Sequence, residues 1–228
     1  MSTALAPVFD AFLRNGAEMF IAARLAPTEA EHMVEYLRLA DLPTAPAVVD
    51  MGAGCGAFGA WVEAAVPGAS VINVVNDPAL VAYIRANGRA CIESSFEDTP
   101  LPDGIADVVT FNEAIGHGDL GRAMAEAARV LKPGGLLVIK DFTPTDPSVA
   151  AVELPEWGYC VHEVGAYSRC ADAAGLVFER ALHPTMHLQH WFDIIQKEPA
   201  AKDSAQRHPP EQLRIGMVLF TFRKAHTQ

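Results

Sequence analysis

Ala47-Val48-Val49-Asp50-Met51-Gly52-Ala53-Gly54-Cys55-Gly56 runs from a short β-branched apolar segment into an acid and then into glycines at alternate positions. The first part reads as a buried strand. The glycines let backbone come close to a nucleotide-like ligand, where any Cβ would hold it off. Residues 58–66 then read as a helix stopped by Pro67-Gly68. A glycine-rich turn that merely reverses the chain is the plain alternative, but it does not call for the strand, the acid and the three glycines together.

The same alternation continues downstream. Residues 70–75 read as a second strand. Asp77-Pro78 offers an N-cap with proline at the first helical position, and Gly88 offers a C′ residue. Strands are expected at 89–94 and 106–111, a helix at 120–131, and a fifth strand at 136–142 after the Lys132-Pro133-Gly134-Gly135 turn. Upstream, the first 45 residues look helical, with a capping box at Thr28 to Glu31 and an apolar face of Met33, Val34 and Leu37. The last third carries a helix at 164–174, strands at 177–182 and 215–223, and a polar surface loop at 198–210. Strands separated by helices imply right-handed crossovers and a mostly parallel sheet. The expectation is a single α/β domain spanning 1–228 with a Rossmann-like, doubly wound sheet. Residues 1–45 form a helical cap, 46–142 the cofactor-binding core, and 143–228 the substrate-covering part with the closing strands.

The chain has 228 residues, half of them apolar, which suffices for a sizeable core. Its 17 Lys and Arg against 28 Asp and Glu give a formal charge of -11 and no basic stripe, so nucleic acid is not expected as a partner. No segment has the roughly 18 continuous apolar residues of a membrane span, and the start lacks a signal-peptide pattern. The four cysteines include no C-x-x-C pair, and reduced thiols in a cytoplasmic protein are expected. A homodimer is left open.

Gly54, Gly56 and Gly59 also satisfy G-x-G-x-x-G, with Asp77 near the distance of a ribose acid, which would suit a nicotinamide-dependent oxidoreductase. That fingerprint accounts neither for Asp50 nor for the Leu131-Lys132-Pro133-Gly134-Gly135 turn. The acid-and-glycine loop and that turn resemble the class I S-adenosylmethionine-dependent methyltransferases, as does the stretch from Asp98 to Val109. The resemblance implies S-adenosylmethionine as cofactor, S-adenosylhomocysteine as product, and a seven-stranded sheet whose last strand is antiparallel, here residues 215–223. It implies cofactor contacts from Asp50, Gly52, Gly54, Gly56, Asn76, Asp77, Ser95, Phe96 and Asn112. Two departures matter. The usual acid after the second strand is replaced by Val75-Asn76-Asp77, so Asn76 or Asp77 takes the ribose hydroxyls or the contact is lost. Ser95 stands where many members have an aspartate.

Loss of that acid, Asn112-Glu113, and the run from Tyr159 to Tyr167 resemble a subgroup that methylates alkene carbons: sterol, mycolic-acid and geranyl diphosphate enzymes. The expected reaction is therefore methyl transfer to a small molecule, with carbon favoured over nitrogen or oxygen. A non-catalytic binding domain is the remaining alternative. A prenyl diphosphate acceptor would need clustered cations and Mg²⁺. Only dispersed candidates such as Arg14, Arg24, Lys140, Arg169 and Arg180 are present.

Glu113, at the carboxyl end of a central strand, is a candidate base or cation stabiliser; the structural alternative is a turn cap or a partner for a nearby cation. His117 is the second candidate for proton chemistry. Trp157, Tyr159, His162, His187 and Trp191 are candidate substrate-pocket residues. His183, His187 and His190 lack any zinc spacing, so no metal is assigned.

Overall fold

The computed structural model describes residues 30–155, 158–183 and 214–226. In chain order these form α1 (Ala30–Leu39), β1 (Ala47–Met51), α2 (Ala57–Ala65), β2 (Ser70–Val75), α3 (Pro78–Ala86), β3 (Cys91–Glu93), β4 (Ala106–Asn112) and a 3₁₀ turn (Ile115–His117). Then follow α4 (Leu120–Val130), β5 (Leu131–Pro144), β6 (Ala151–Leu154), β7 (Tyr159–His162), α5 (Val164–Ala173), β8 (Leu176–Leu182) and β9 (Ile215–Lys224).

Seven strands make one sheet in the order β3-β2-β1-β4-β5-β9-β8. The pairs from β3 through β5 are parallel, while β9 runs antiparallel to both β5 and β8. The last strand is thus antiparallel, as expected, and it inserts between β5 and β8. The fold is α/β and Rossmann-like.

Side-chain alternation along the strands divides the core into two faces. Val48, Val108, Leu136, Val138 and Leu219 pack with Met33, Val34 and Leu37 of α1 and with Phe58 and Val62 of α2. Val49, Val109, Leu137, Ile139 and Phe220 pack instead against Leu120, Ala123, Met124 and Ala127 of α4 and Tyr167 and Ala171 of α5. Because β1 and β4 are neighbours and send their helices to opposite faces, the carboxyl ends of these strands open a crevice, where such sheets bind ligands.

Two features of the strands differ from the expectation. The Lys132-Pro133-Gly134-Gly135 segment lies inside β5: Ala106 pairs with Leu131 and Val108 with Leu136, so the extra residues bulge against one partner residue. Asp107 fastens the bulge, taking Lys132 Nζ at 2.8 Å on one oxygen and the Ala47 N–H at 2.8 Å on the other. The β6–β7 hairpin is the second; its four-residue strands are too short to show a period in sequence. The expected helical segment through residue 45 is cut short: α1 ends at Leu39, and residues 40–46, with Pro43 and Pro46, carry no helix. Thr28, the cap of the expected capping box, and the 198–210 loop lie outside the described residues. No helix among the described residues is long and apolar enough to cross a membrane.

Candidate functional site

The glycine loop leaves β1 at the centre of the crevice. The N–H groups of Gly52 and Ala53 both donate to the Val74 carbonyl, at 2.9 and 3.1 Å, which ties the loop to β2. Gly52, Gly54 and Gly56 all have left-handed φ, at 73°, 57° and 75°. A Cβ on Gly52 would lie 2.6 Å from the Ala114 Cβ, so the loop and the segment after β4 close up only because this residue is glycine. Gly59 serves packing: a Cβ there would meet Asn73 Oδ1 at 2.8 Å and Val71 at 2.9 Å, so the third glycine of the dinucleotide-like pattern lets α2 sit on β2.

Asp50 lies beneath the loop, 1% exposed, with the Thr110 hydroxyl donating to its Oδ1 at 2.9 Å. After β2, Asn76 is exposed at the crevice, whereas Asp77 is buried. Asp77 is the N-cap of α3: its Oδ1 accepts from the N–H groups of Ala79 at 2.7 Å and Leu80 at 3.2 Å. Of the two ribose candidates, Asn76 is therefore the one whose side chain the fold has not already employed as a cap. Asn76→Ala is expected to weaken S-adenosylhomocysteine binding by about 1–3 kcal/mol, the usual cost of a lost polar contact. Calorimetry checks this, and an unchanged affinity would place the hydroxyls elsewhere.

After β3, Ser95 is exposed and its hydroxyl accepts from the Glu97 N–H at 3.2 Å. The Phe96 ring is half-buried, edge-on to Phe111 at 5.5 Å and close to Gly52 and Gly118, so it forms an aromatic wall beside the loop. Glu97 holds this wall in place, accepting from the Asp119 N–H at 2.7 Å and pairing with Arg122 at 3.0 Å. Asn112 ends β4, buried, in register with Lys140. The residues expected to hold the cofactor thus come together along the ends of four adjacent strands. The glycine cradle, the exposed Asn76 amide and the Phe96 face fit a nucleoside with a backbone-hugging tail.

Glu113 follows directly. Its φ is 53°, a strained value for a residue with a side chain, and such strain concentrates at ligand sites. Its N–H donates to the Lys140 carbonyl at 2.7 Å, and its Oε1 pairs with Lys140 Nζ, also at 2.7 Å. The two side chains are only 4% and 1% exposed. Pairing with a buried cation, the structural alternative for Glu113, is what this fold provides. His117, four residues on, is exposed, and its Nδ1 lies 3.1 Å from the Gly158 carbonyl. A carbonyl oxygen only accepts, so Nδ1 carries the proton and Nε2 is the basic nitrogen of the neutral ring.

Tyr159 and His162 lie on the hairpin that packs over the 3₁₀ turn. Trp157, His187 and Trp191 lie outside the described residues. Asp141 is the buried neighbour of this cluster that sequence reasoning missed; Lys140 had been noted only as a dispersed cation. Two charges closing the apolar run Leu136 to Ile139 were the available signal. Burial pushes the Asp141 carboxyl up to about 7, against the opposing hydrogen bonds from Tyr159 and the Phe142 N–H. Because the folded value exceeds the unfolded 3.8, the folded state holds an extra proton between them, and stability falls as pH rises from about 4 through about 7. Asp141→Asn is expected to remove this fall, so thermal melts should show the variant gaining on the wild type as pH rises to 8. A pH-independent difference would contradict it.

A methyltransferase domain model matches residues 49–139. The chain is 32% identical over 211 residues to dimethylglycine N-methyltransferase of Parasynechococcus marenigrum, covering 81% of this chain and 72% of that protein. The chain is a class I S-adenosylmethionine-dependent methyltransferase. Sarcosine/dimethylglycine N-methyltransferase of Aphanothece halophytica is 32% identical over 124 residues, half of this chain and 43% of that one. Among solved structures, the geranyl diphosphate C-methyltransferase of Streptomyces coelicolor, in complex with Mg²⁺, geranyl diphosphate and S-adenosylhomocysteine, superposes with TM-score 0.68 at 19% identity, covering 86% and 78% of the two chains. At that identity the likeness carries the fold alone. This methyltransferase uses S-adenosylmethionine and acts on a small molecule.

Proposed function

We propose that this methyltransferase transfers its methyl group to the nitrogen of a small amine, and that His117 accepts the proton an incoming ammonium must lose. The observation that carries the reading is the buried ion pair. A carbon acceptor would develop positive charge that a carboxylate should stabilise, but the Glu113 charge is already matched by Lys140 at 2.7 Å. Arg122 is paired with Glu97, and Arg169 with Glu163, so among the described residues these cations are likewise matched, which disfavours a diphosphate acceptor. A chain with net charge -11 suits a cationic or zwitterionic amine. The similarity to two N-methyltransferases points the same way.

When bound, S-adenosylmethionine supplies a methyl carbon activated by its sulfonium charge. The glycine loop, Asn76, Phe96 and Asn112 would hold it. The protein's remaining work is to keep the amine neutral, aim its lone pair and exclude water. An ammonium cannot attack, because its lone pair is in the N–H bond. His117 Nε2 takes that proton, the electrons of the N–H bond return to nitrogen, and a nucleophile is available at neutral pH. The second reading, a carbon acceptor, is favoured by one observation: the strained backbone holds the Glu113 carboxylate at the end of a central strand.

Turnover with methyl-labelled S-adenosylmethionine separates the two. Secondary and tertiary amino acids such as sarcosine and dimethylglycine are expected to be methylated, and geranyl diphosphate with Mg²⁺ is not. Methylation of the prenyl compound alone would overturn the proposal.

A further inference from the structure

Tyr159 joins three parts of the site that are distant in sequence. Its hydroxyl donates to Asp141 Oδ1, on the neighbouring strand β5. Its ring lies 4.6 Å from the His117 ring at 89°, an edge-to-face contact. The residue before it, Gly158, supplies the carbonyl that fixes the His117 proton on Nδ1. The 3₁₀ turn and the hairpin come this close because residue 116 is glycine: a Cβ there would collide with the Tyr159 ring and with the Cys160 carbonyl.

Asp141 is fully buried and Tyr159 7% exposed. Asp141 Oδ1 also accepts from the Phe142 N–H at 2.7 Å. The charged and titratable groups facing Asp141 are Tyr159 from β7, Tyr167 from α5, Glu113 from the residue after β4, and Lys140 beside it in β5. Holding a carboxyl group in such a place is costly for the fold. An apolar residue would serve packing better, whereas a carboxyl group that accepts from a tyrosine hydroxyl fixes where the ring lies.

We propose that Asp141 and Tyr159 are positioning residues for His117: Asp141 sets the Tyr159 ring, and the ring together with the Gly158 carbonyl holds the imidazole with Nε2 as its basic nitrogen. Neither residue touches the reacting atoms. The inference rests on the reading of His117 as proton acceptor, and it adds what makes His117 the right tautomer in the right place.

Two variants test it. Tyr159→Phe keeps the ring and removes the hydroxyl; Asp141→Asn keeps an acceptor of the same shape and removes the charge. Nitrogen-15 NMR of the His117 ring gives its tautomer without any cofactor present, and steady-state kinetics gives kcat and KM. The wild type is expected to show a proton on Nδ1. Tyr159→Phe is expected to show a mixture of tautomers and a kcat lowered about 10-fold or more, with KM for the cofactor unchanged. Asp141→Asn, which keeps the acceptor, is expected to fall between the two. A wild-type tautomer and wild-type kcat in both variants, with only a lower melting temperature, would reduce the pair to a clasp for the hairpin. Failure of both variants to fold would carry the same meaning. Full turnover by His117→Gln would instead overturn the proton-acceptor reading, and would do so whatever the tautomer result.

Discussion

Gly54→Val is expected to abolish binding of S-adenosylhomocysteine. Position 54 has φ 57°, so a β-branched residue is strained there whatever surrounds it. The larger effect is on approach. The loop is tied to the Val74 carbonyl on one side and lies close against Ala114 on the other, so it has little room to retreat from a new side chain. A ligand held by backbone contact then loses that contact outright. Calorimetry on a variant whose circular dichroism matches the wild type gives the result; an unchanged affinity would move the cofactor off this loop.

The second large effect concerns the buried pair. Lys140→Met leaves Glu113 buried without its counter-charge, and removing one partner of such a pair costs about 3–5 kcal/mol. The double variant Glu113→Gln with Lys140→Met should recover most of that loss, because neither remaining group is charged. Urea melts on the two single variants and the double variant measure the coupling. Glu113→Gln alone carries the chemical question. If the pair is structural, the variant loses stability but turns over within a few-fold of the wild type wherever it is folded. A fall of about two orders of magnitude with stability intact, the range for a positioned acid–base group, would return the assignment to Glu113 and favour a carbon acceptor.

How much of this was legible in sequence depends on the range of the interaction. The glycine loop was readable because strand, acid and glycines are contiguous. Asp77-Pro78 was readable because an N-cap is local chemistry, and the structure places that cap where the sequence put it. The same local reading left Asn76 and Asp77 equivalent toward a ribose, since only the fold reveals that capping draws Asp77 inward. Glu113 and Lys140 were both noticed separately. Their pairing is set by the register of β4 on β5, with Asn112 opposite Lys140, and register between parallel strands is not written in either segment alone. Tyr159 was singled out, but its contact with Asp141 escaped for a similar reason: it depends on a hairpin whose strands have four residues each. The insertion of β9 between β5 and β8 is likewise a tertiary choice, made where the buried faces of Val218, Phe220 and Phe222 meet α5 and β5.

The most direct test of the account is His117→Gln, assayed with a small tertiary amine while S-adenosylhomocysteine affinity is measured on the same sample. The account predicts an unchanged affinity and a kcat lowered by about 10²-fold or more, with part of the loss regained as rising pH deprotonates the amine in solution. Wild-type kcat in His117→Gln, at unchanged cofactor affinity, would contradict it.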